Sequence, residues 1–221
     1  MIQISDFSSW RNSAAISALL EGARLRLLSS PSAASDLWLG RPEQRIDWAR
    51  EHRAWLWPDV KLDFDEHSYL MDLYADENPE IVISKASQMG ASEWAITDAL
   101  WACDTKAANC LYLLPQLLDV NDFATARLGL ALEASPYIAS LIETGVNEEG
   151  YRTAARDRQT LKRIRNRFLY LRQGSVKPDG RAPHLKAAAI DVVTYDEFDE
   201  MDRRAPALAE KRLGHSHLRW Q

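Results

Sequence analysis

The chain has 221 residues, of which 46% are apolar and 27% charged, and its formal net charge is −5. These are ordinary values for a globular protein with one substantial core. No apolar run approaches the roughly 20 residues that a membrane-spanning helix needs, and the acidic balance argues against a surface that binds nucleic acid everywhere. Cys103 and Cys110 are too few for a disulfide framework or a zinc site, so we expect reduced core thiols in a cytoplasm-like compartment.

An amphipathic helix is predicted near the N-terminus. Apolar side chains recur there at helical spacing, at Ile16, Leu19, Leu20, Ala23 and Leu27. The polar segment 29–35, Ser-Ser-Pro-Ser-Ala-Ala-Ser, is typical of a linker. We therefore expect a helical arm with its linker over residues 1–40 and a separate domain over residues 41–221.

Tryptophans are crowded in the segment that follows the linker. They stand at Trp38, Trp48, Trp55 and Trp57. We expect these side chains to pack onto the core of the domain rather than to stack on nucleic-acid bases.

Residues 81–92, Ile-Val-Ile-Ser-Lys-Ala-Ser-Gln-Met-Gly-Ala-Ser, look like a phosphate-binding loop whose lysine has moved. In the usual pattern, G-x-x-x-x-G-K-[ST], a strand precedes the loop and a helix follows it. Lys85 stands at the place of the first glycine and Ala91 at that of the lysine, whereas Gly90 and Ser92 stay in frame. The exchange of positions predicts a lysine that reaches the phosphates from the start of the loop.

The flanks of the loop favour this interpretation. The β-branched run at 81–83 predicts a buried strand, and the alanine spacing predicts a helix over 93–104. A strand, a loop and a helix in this order direct backbone N–H groups and a helix N-terminus at a phosphate. The predicted nucleotide-binding residues are Lys85, Ala86, Ser87, Gln88, Met89, Gly90, Ala91 and Ser92. An ordinary turn between a strand and a helix is the alternative.

Positive charge is concentrated in residues 152–172, which carry eight basic side chains against the single acid Asp157. Contact with DNA phosphates is one interpretation, with Arg163, Arg165 and Arg167 as the candidate residues. A solvated hairpin or a contact between subunits is the other. Two aromatic residues interleave with the arginines at strand spacing and are predicted to face the core. They are Phe168 and Tyr170.

A second buried strand is predicted over residues 190–195, and it ends at the two carboxylates Asp196 and Glu197. Open α/β sheets bind ligands at the carboxyl ends of their strands. Phosphoryl transfer needs one carboxylate to hold Mg²⁺ and another to orient and deprotonate water. We predict the first role for Asp196 and the second for Glu197. A solvated acidic turn is the alternative, because acidic residues continue as far as Asp202.

Taken in order, these segments resemble the ATPase domain of the large terminase subunit of tailed phages, especially the lambda-like type. In that group the loop lysine is commonly moved to the start of the loop, as Lys85 is here, and residues 190–197 resemble the Walker B strand. Segments 111–115, 121–127 and 169–175 resemble the strand after the first helix, the next helix and the hairpin before Walker B.

The chain also departs from that family. Gln88 stands where terminases usually carry a loop arginine. Lys186 stands near the place of an arginine that the family associates with action across a subunit interface, and Arg181 is close enough to serve instead. His67 falls about where a glutamine often reads adenine; a surface histidine in an acidic stretch is the alternative.

The resemblance implies a P-loop NTPase of the additional-strand, catalytic-glutamate class. It implies an α/β fold with a mainly parallel sheet flanked by helices, plus the small helical N-terminal arm. ATP and Mg²⁺ are the implied cofactors, with Mg²⁺ bound by Ser92 and Asp196 and with Glu197 and Lys85 as catalytic residues.

The implied activity is ATP hydrolysis that moves double-stranded DNA into a capsid. The implied partners are the small terminase subunit, the capsid portal and further copies of the chain in a ring, with no membrane involved. The implied location is the cytoplasm of an infected or lysogenic bacterial host.

Terminases continue beyond Walker B into a further strand and a nuclease domain, whereas this chain stops 24 residues after Glu197. We therefore expect the ATPase domain at 41–221 to be incomplete at its C-terminus and the nuclease domain to be absent. A helicase-like P-loop ATPase and a non-catalytic prophage remnant that binds partners remain as alternatives.

Overall fold

The computed structural model describes residues 45–54, 60–65, 67–76, 78, 80–142, 145–146, 152–153, 157–186 and 189–213. All of them belong to one compact unit, Pro42–Gln221. The predicted arm and linker at 1–40 lie outside the described residues, as do Trp38, Trp55 and Trp57.

Helices account for most of the regular structure before residue 142. The first three are α1 at Arg45–His52, α2 at Tyr69–Ala75 and α3 at Ala91–Thr105. Helix α4 at Leu117–Phe123 continues through a π-helical turn, Ala124–Gly129, into α5 at Leu130–Glu133. Two more are α6 at Pro136–Leu141 and α7 at Ala205–Glu210. Short 3₁₀ turns lie at Pro183–Leu185 and Phe198–Glu200.

The strands are short. They are β1 at Cys110–Leu114, β2 at Gly145–Val146, β3 at Arg152–Thr153, β4 at Asp157–Arg158, β5 at Leu161–Ile164, β6 at Arg167–Gln173 and β7 at Val192–Tyr195. Strands β2 and β3 form a separate antiparallel ribbon.

The main sheet is mixed, with the strand order β4-β5-β6-β1-β7. Strand β1 pairs in parallel with both β6 and β7, and Tyr112 stands opposite Leu171 on one side and Thr194 on the other. Strands β4, β5 and β6 pair antiparallel. The expectation of a mainly parallel sheet is therefore met only in its β6-β1-β7 part, because tight turns between β4, β5 and β6 force antiparallel pairing.

Apolar side chains cover both faces of the sheet at β1, which is an interior strand between β6 and β7. Tyr112 and Leu114 point into the cluster that contains most of α3 and the buried side of α4. Leu111 and Leu113 point into the opposite cluster, which α7 covers. Because both faces are buried, β1 is apolar throughout rather than alternating.

Several local predictions are confirmed. The helix expected over 93–104 is α3, which extends slightly at both ends. The strand expected over 190–195 is β7, which begins two residues later at Val192. Cys103 and Cys110 are buried and reduced, with their Sγ atoms 3.7 Å apart. Trp48 packs in the core with 1% of its surface exposed.

The strand expected at 81–83 is wrong. Residues 80–86 have no regular structure, and Val82 is 97% exposed, whereas Ile81 and Ile83 are half-buried against the core. The alternation of these side chains is that of an extended segment with one buried side. Within the part of the chain that the structure describes, no strand pairs with it, and so no ladder forms.

None of the helices that the structure describes is long and apolar enough to cross a membrane.

Candidate active site

Three of the residues singled out in the sequence meet at the carboxyl end of β7. The Nζ atom of Lys85 lies 2.6 Å from Oε1 of Glu197 and 3.8 Å from Oδ1 of Asp196. Lys85 and Glu197 are 112 positions apart in sequence, so only the tertiary fold joins them. The displaced lysine therefore reaches the acidic pair from the start of its loop.

The loop between Lys85 and α3 is tightly bent. Gln88 and Gly90 both adopt left-handed backbone conformations, with φ of 62° and 75°. A Cβ atom at Gly90 would lie 2.9 Å from Cδ1 of Leu70, so this position combines an unusual φ with a close approach to α2. The hydroxyl of Tyr69 donates a hydrogen bond to the carbonyl of Met89 at 3.1 Å. Helix α2 thus supports the bend.

Helix α3 starts directly after this bend. The amide of Trp94 donates to the carbonyl of Gly90 at 3.0 Å, which closes the first helical turn. Gly90 occupies the cap position and no side chain caps the helix, so the first-turn N–H groups keep their capacity to bind an anion. Ser92 is the second residue of the helix, so its hydroxyl is carried by the same N-terminal turn.

A buried arginine fixes this end of α3. Arg53 is 3% exposed, and its guanidinium donates to Oε2 of Glu93 at 2.7 Å and to Oγ1 of Thr97 at 3.1 Å. A third hydrogen bond, 3.3 Å long, goes to the carbonyl of Ala131. Because Glu93 follows Ser92, Arg53 holds the helix turn on which the loop depends.

Asp196 is itself held by protein groups. The hydroxyl of Tyr112 donates to its Oδ2 at 2.7 Å, and the amide of Glu197 donates to its Oδ1 at 3.1 Å. Asp196 is 8% exposed and Tyr112 only 1%. Burial raises the pKa of the Tyr112 hydroxyl, and the negative charge of Asp196 raises that pKa further. Tyr112 could not be recognised from the sequence, because a tyrosine inside an apolar strand resembles an ordinary core residue.

Glu197 adopts a left-handed backbone conformation, with φ 54° and ψ 50°. Such a conformation is uncommon for residues other than glycine, asparagine and aspartate, and residues of this kind are concentrated in functional sites. Its side chain is 49% exposed. The bend at the end of β7 therefore turns the carboxylate of Glu197 toward Lys85.

Lys85 remains a cation at physiological pH. The hydrogen bond to Glu197 raises its pKa, burial lowers it, and the charges of Asp196 and Glu197 raise it again. Arg127, which is exposed in the π-helical turn, lowers the pKa of Lys85 through its own positive charge. Arg127 is thus a second cation whose charge acts on the site, and no local pattern in the sequence indicates this.

His67 lies just before α2. Its ring centroid is 5.8 Å from that of Tyr69, whose hydroxyl contacts Met89 of the loop. Arg181 instead pairs with Asp179 at 2.6 Å on an exposed turn. Lys186 is also exposed, and neither of these two basic residues contacts the acidic pair.

The three arginines suggested for DNA contact do not form one row. Arg163 lies over the ring of Phe168 and shares its face of the sheet. Arg167, the neighbour of Phe168 in β6, belongs to the opposite face. Arg165, in the turn between β5 and β6, donates to Oδ1 of the buried Asp104 at 2.5 Å. It therefore helps to fix the hairpin to the end of α3.

The aromatic pair beside these arginines is only partly in the core. Phe168 and Tyr170 are half-buried, on the face of β6 opposite Leu169 and Leu171, which are buried. Tyr170 packs against the second apolar cluster, and Arg172 lies 5.5 Å from its ring centroid. The expectation that both aromatic rings face the core thus holds only in part.

The donor atoms of the site suit Mg²⁺. Among the residues that the structure describes, no group of three or more His, Cys, Asp or Glu side chains could hold a metal ion. Magnesium in phosphoryl-transfer sites is usually held by one or two carboxylates together with water and the phosphates of the substrate. Asp196 supplies one carboxylate of this kind, with Oδ2 bound to Tyr112 and Oδ1 facing Lys85.

The fold and this geometry define an α/β protein with a mixed sheet, helices on its faces and a cation–carboxylate cluster at the end of a parallel strand. Searches of protein-family models, curated proteins and solved structures found no match to this chain.

Proposed function

We propose that the protein is a P-loop ATPase of the catalytic-glutamate class, with ATP bound over residues 85–92. One observation carries the proposal. The loop that ends in the Gly90 cap of α3 also delivers the ammonium of Lys85 to within 2.6 Å of Glu197 and 3.8 Å of Asp196. Phosphoryl transfer needs this combination of a helix N-terminus, a cation and two carboxylates.

Each residue has a defined role in the proposed reaction. The first-turn N–H groups of α3 bind phosphate oxygens, and Lys85 neutralises charge on the β- and γ-phosphates. Ser92 and Asp196 hold Mg²⁺, which when bound offsets further phosphate charge. Glu197 orients a water molecule and accepts its proton as the water oxygen bonds to the γ-phosphorus. The bond from that phosphorus to the bridging oxygen breaks, and ADP leaves.

The ion pair of Lys85 with Glu197 couples binding to catalysis. A phosphate oxygen and the carboxylate of Glu197 compete for the same ammonium, which now donates to Glu197. When the phosphates take Lys85, Glu197 is released to act on water. The left-handed backbone of Glu197 leaves its side chain half-exposed, so the carboxylate has room to turn.

We further propose that this ATPase drives double-stranded DNA into a phage capsid as a large terminase subunit. The order of loop, helix, β1, α4, hairpin and acid-terminated β7 supports this proposal, because it follows the terminase segments. The proposed partners are further copies in a ring, the small subunit and the portal, in the cytoplasm of an infected or lysogenic host. Arg181 or Lys186 is the proposed residue acting between subunits.

The basic hairpin is the proposed DNA contact. Arg163 and Arg167 lie on opposite faces of it, and each is a candidate for a separate phosphate contact. Such contacts do not depend on base sequence. Arg165 is a weaker candidate because Asp104 engages its guanidinium.

Phosphate release from Mg-ATP, measured with and without duplex DNA, tests the proposal. Wild type should release phosphate. Asp196→Asn should reduce the rate by about two orders of magnitude or more, because a metal-binding carboxylate is removed. Asp199→Asn, which changes an exposed acid three positions further on, is the matched control and should keep the wild-type rate. Full activity in Asp196→Asn would contradict the assignment, and unwinding of duplex DNA would favour a helicase-like ATPase.

A further inference from the structure

Tyr112 lies on an interior strand of the sheet and touches the proposed metal-binding carboxylate. It lies in β1 between Leu171 of β6 and Thr194 of β7. Its side chain is buried, and its hydroxyl donates to Oδ2 of Asp196 at 2.7 Å, across 84 positions of sequence. This is a buried hydrogen bond to an ionisable group, a kind that is stronger than a bond between neutral partners.

Packing fixes the direction of this hydroxyl. The ring of Phe123, from α4, lies 4.6 Å from the Tyr112 ring between centroids, at an interplanar angle of 32°. Strands on both sides of β1 prevent the backbone of Tyr112 from shifting. The phenol therefore reaches Asp196 from one direction only.

The two oxygens of Asp196 consequently face different surroundings. Oδ2 is bound to the Tyr112 hydroxyl inside the protein. Oδ1 accepts the amide of Glu197 at 3.1 Å and faces Nζ of Lys85 at 3.8 Å, on the side where the phosphates would bind. Without the phenol, the carboxylate could turn and present either or both oxygens.

We propose that Tyr112 is a positioning residue that makes Asp196 offer a single oxygen, Oδ1, to the metal ion that accompanies ATP. This inference rests on the proposed function. Groups that hydrogen-bond to metal ligands orient them, and their loss typically costs about 10- to 100-fold in metal affinity.

The same geometry implies selectivity between metals. Mg²⁺ requires nearly octahedral coordination and usually takes one oxygen from a carboxylate, whereas Ca²⁺ accepts both oxygens and more ligands. Because the buried Tyr112 hydroxyl occupies one lone pair of Oδ2 and holds that oxygen inside the protein, binding of a metal ion through both oxygens of Asp196 is disfavoured. Tyr112 would thereby favour Mg²⁺ over Ca²⁺.

Equilibrium titration of the full chain with ATP at a series of Mg²⁺ concentrations, and in EDTA, tests the inference. Mg²⁺ should increase the affinity of the protein for ATP. Tyr112→Phe should need at least about 10-fold more Mg²⁺ than wild type to reach half of that increase. Affinity in EDTA should stay at the wild-type value. The matched control is Tyr137→Phe, which removes a hydroxyl bound to another buried carboxylate, Asp104, at 3.0 Å and should change neither quantity.

Two further measurements separate positioning from a general loss of structure. The ratio of Ca²⁺ to Mg²⁺ affinity in the presence of ATP should rise in Tyr112→Phe and stay constant in Tyr137→Phe. In an Asp196→Asn background, Tyr112→Phe should shift the Mg²⁺ dependence no further, because its partner has already lost the charge.

Each outcome decides the matter. Wild-type Mg²⁺ dependence in Tyr112→Phe would overturn the inference while leaving the proposed ATPase intact. An equal loss of ATP affinity in EDTA and in Mg²⁺ would also overturn it, since a merely structural role acts on both. Wild-type protein that binds no ATP under any condition would overturn the proposed function, and the inference with it.

Discussion

Replacing Glu197 by glutamine should make the protein bind ATP more tightly. In wild type, Nζ of Lys85 donates to Oε1 of Glu197 at 2.6 Å, so the phosphates must displace a carboxylate. The two side chains are 25% and 49% exposed, and solvent screening limits such a pair to about 1 kcal/mol or less. Because 1.4 kcal/mol corresponds to a factor of ten, the dissociation constant should fall by up to about 5-fold. Removing a negative charge beside the γ-phosphate acts in the same direction.

Isothermal titration calorimetry with Mg-ATP measures this change directly. Hydrolysis by Glu197→Gln should fall about 10²- to 10⁴-fold, because the general base is lost. Glu200→Gln, which removes the same charge from an exposed residue three positions further on, should leave the affinity unchanged. Weaker binding by Glu197→Gln than by wild type would refute the proposed competition for Lys85.

Three other predictions concern stability and access. Gly90→Ala should lower the free energy of unfolding in urea by about 1–2 kcal/mol, since alanine at φ 75° is strained and its Cβ is crowded. Gly180→Ala, with φ 77° and nothing within 4 Å of a Cβ, should cost only the backbone strain, and equal losses would contradict the proposed crowding. Arg53→Ala should cost about 2 kcal/mol or more in the same assay, because it leaves buried partners unpaired, and an unchanged midpoint would refute its anchoring role. Cys103 and Cys110 should resist a thiol reagent until the protein unfolds, since both are 1% exposed; rapid labelling of native protein would contradict that burial.

The local parts of the site could be predicted from the sequence. The loop and the acidic pair are each contained in a few consecutive residues, and strand-end and helix-start patterns are local signals. The structure confirms α3 and β7 and brings Lys85 to Asp196 and Glu197. The ATP- and DNA-related roles of these residues stay predictions.

Features that depend on distant contacts could not be predicted. Tyr112 reads as a core residue, because its partner Asp196 lies 84 positions away. The β-branched run at 81–83 predicts a buried strand but does not indicate whether a neighbouring strand exists, and Val82 is 97% exposed. The basic stretch does not indicate that the guanidinium of Arg165 binds Asp104, because Asp104 lies 61 positions earlier in the sequence.

Equilibrium binding of Mg-ATP to wild type and Lys85→Ala is the most direct test of the nucleotide site. Lys177→Ala, which removes an exposed lysine from the loop after β6, is the control for loss of one positive charge. If Lys85 binds the phosphates, Lys85→Ala should weaken ATP binding about 10-fold or more. This is the order expected when a charge-assisted hydrogen bond to phosphate is lost. Lys177→Ala should bind ATP like wild type. Equal affinity in wild type and Lys85→Ala would contradict a phosphate-binding role for Lys85.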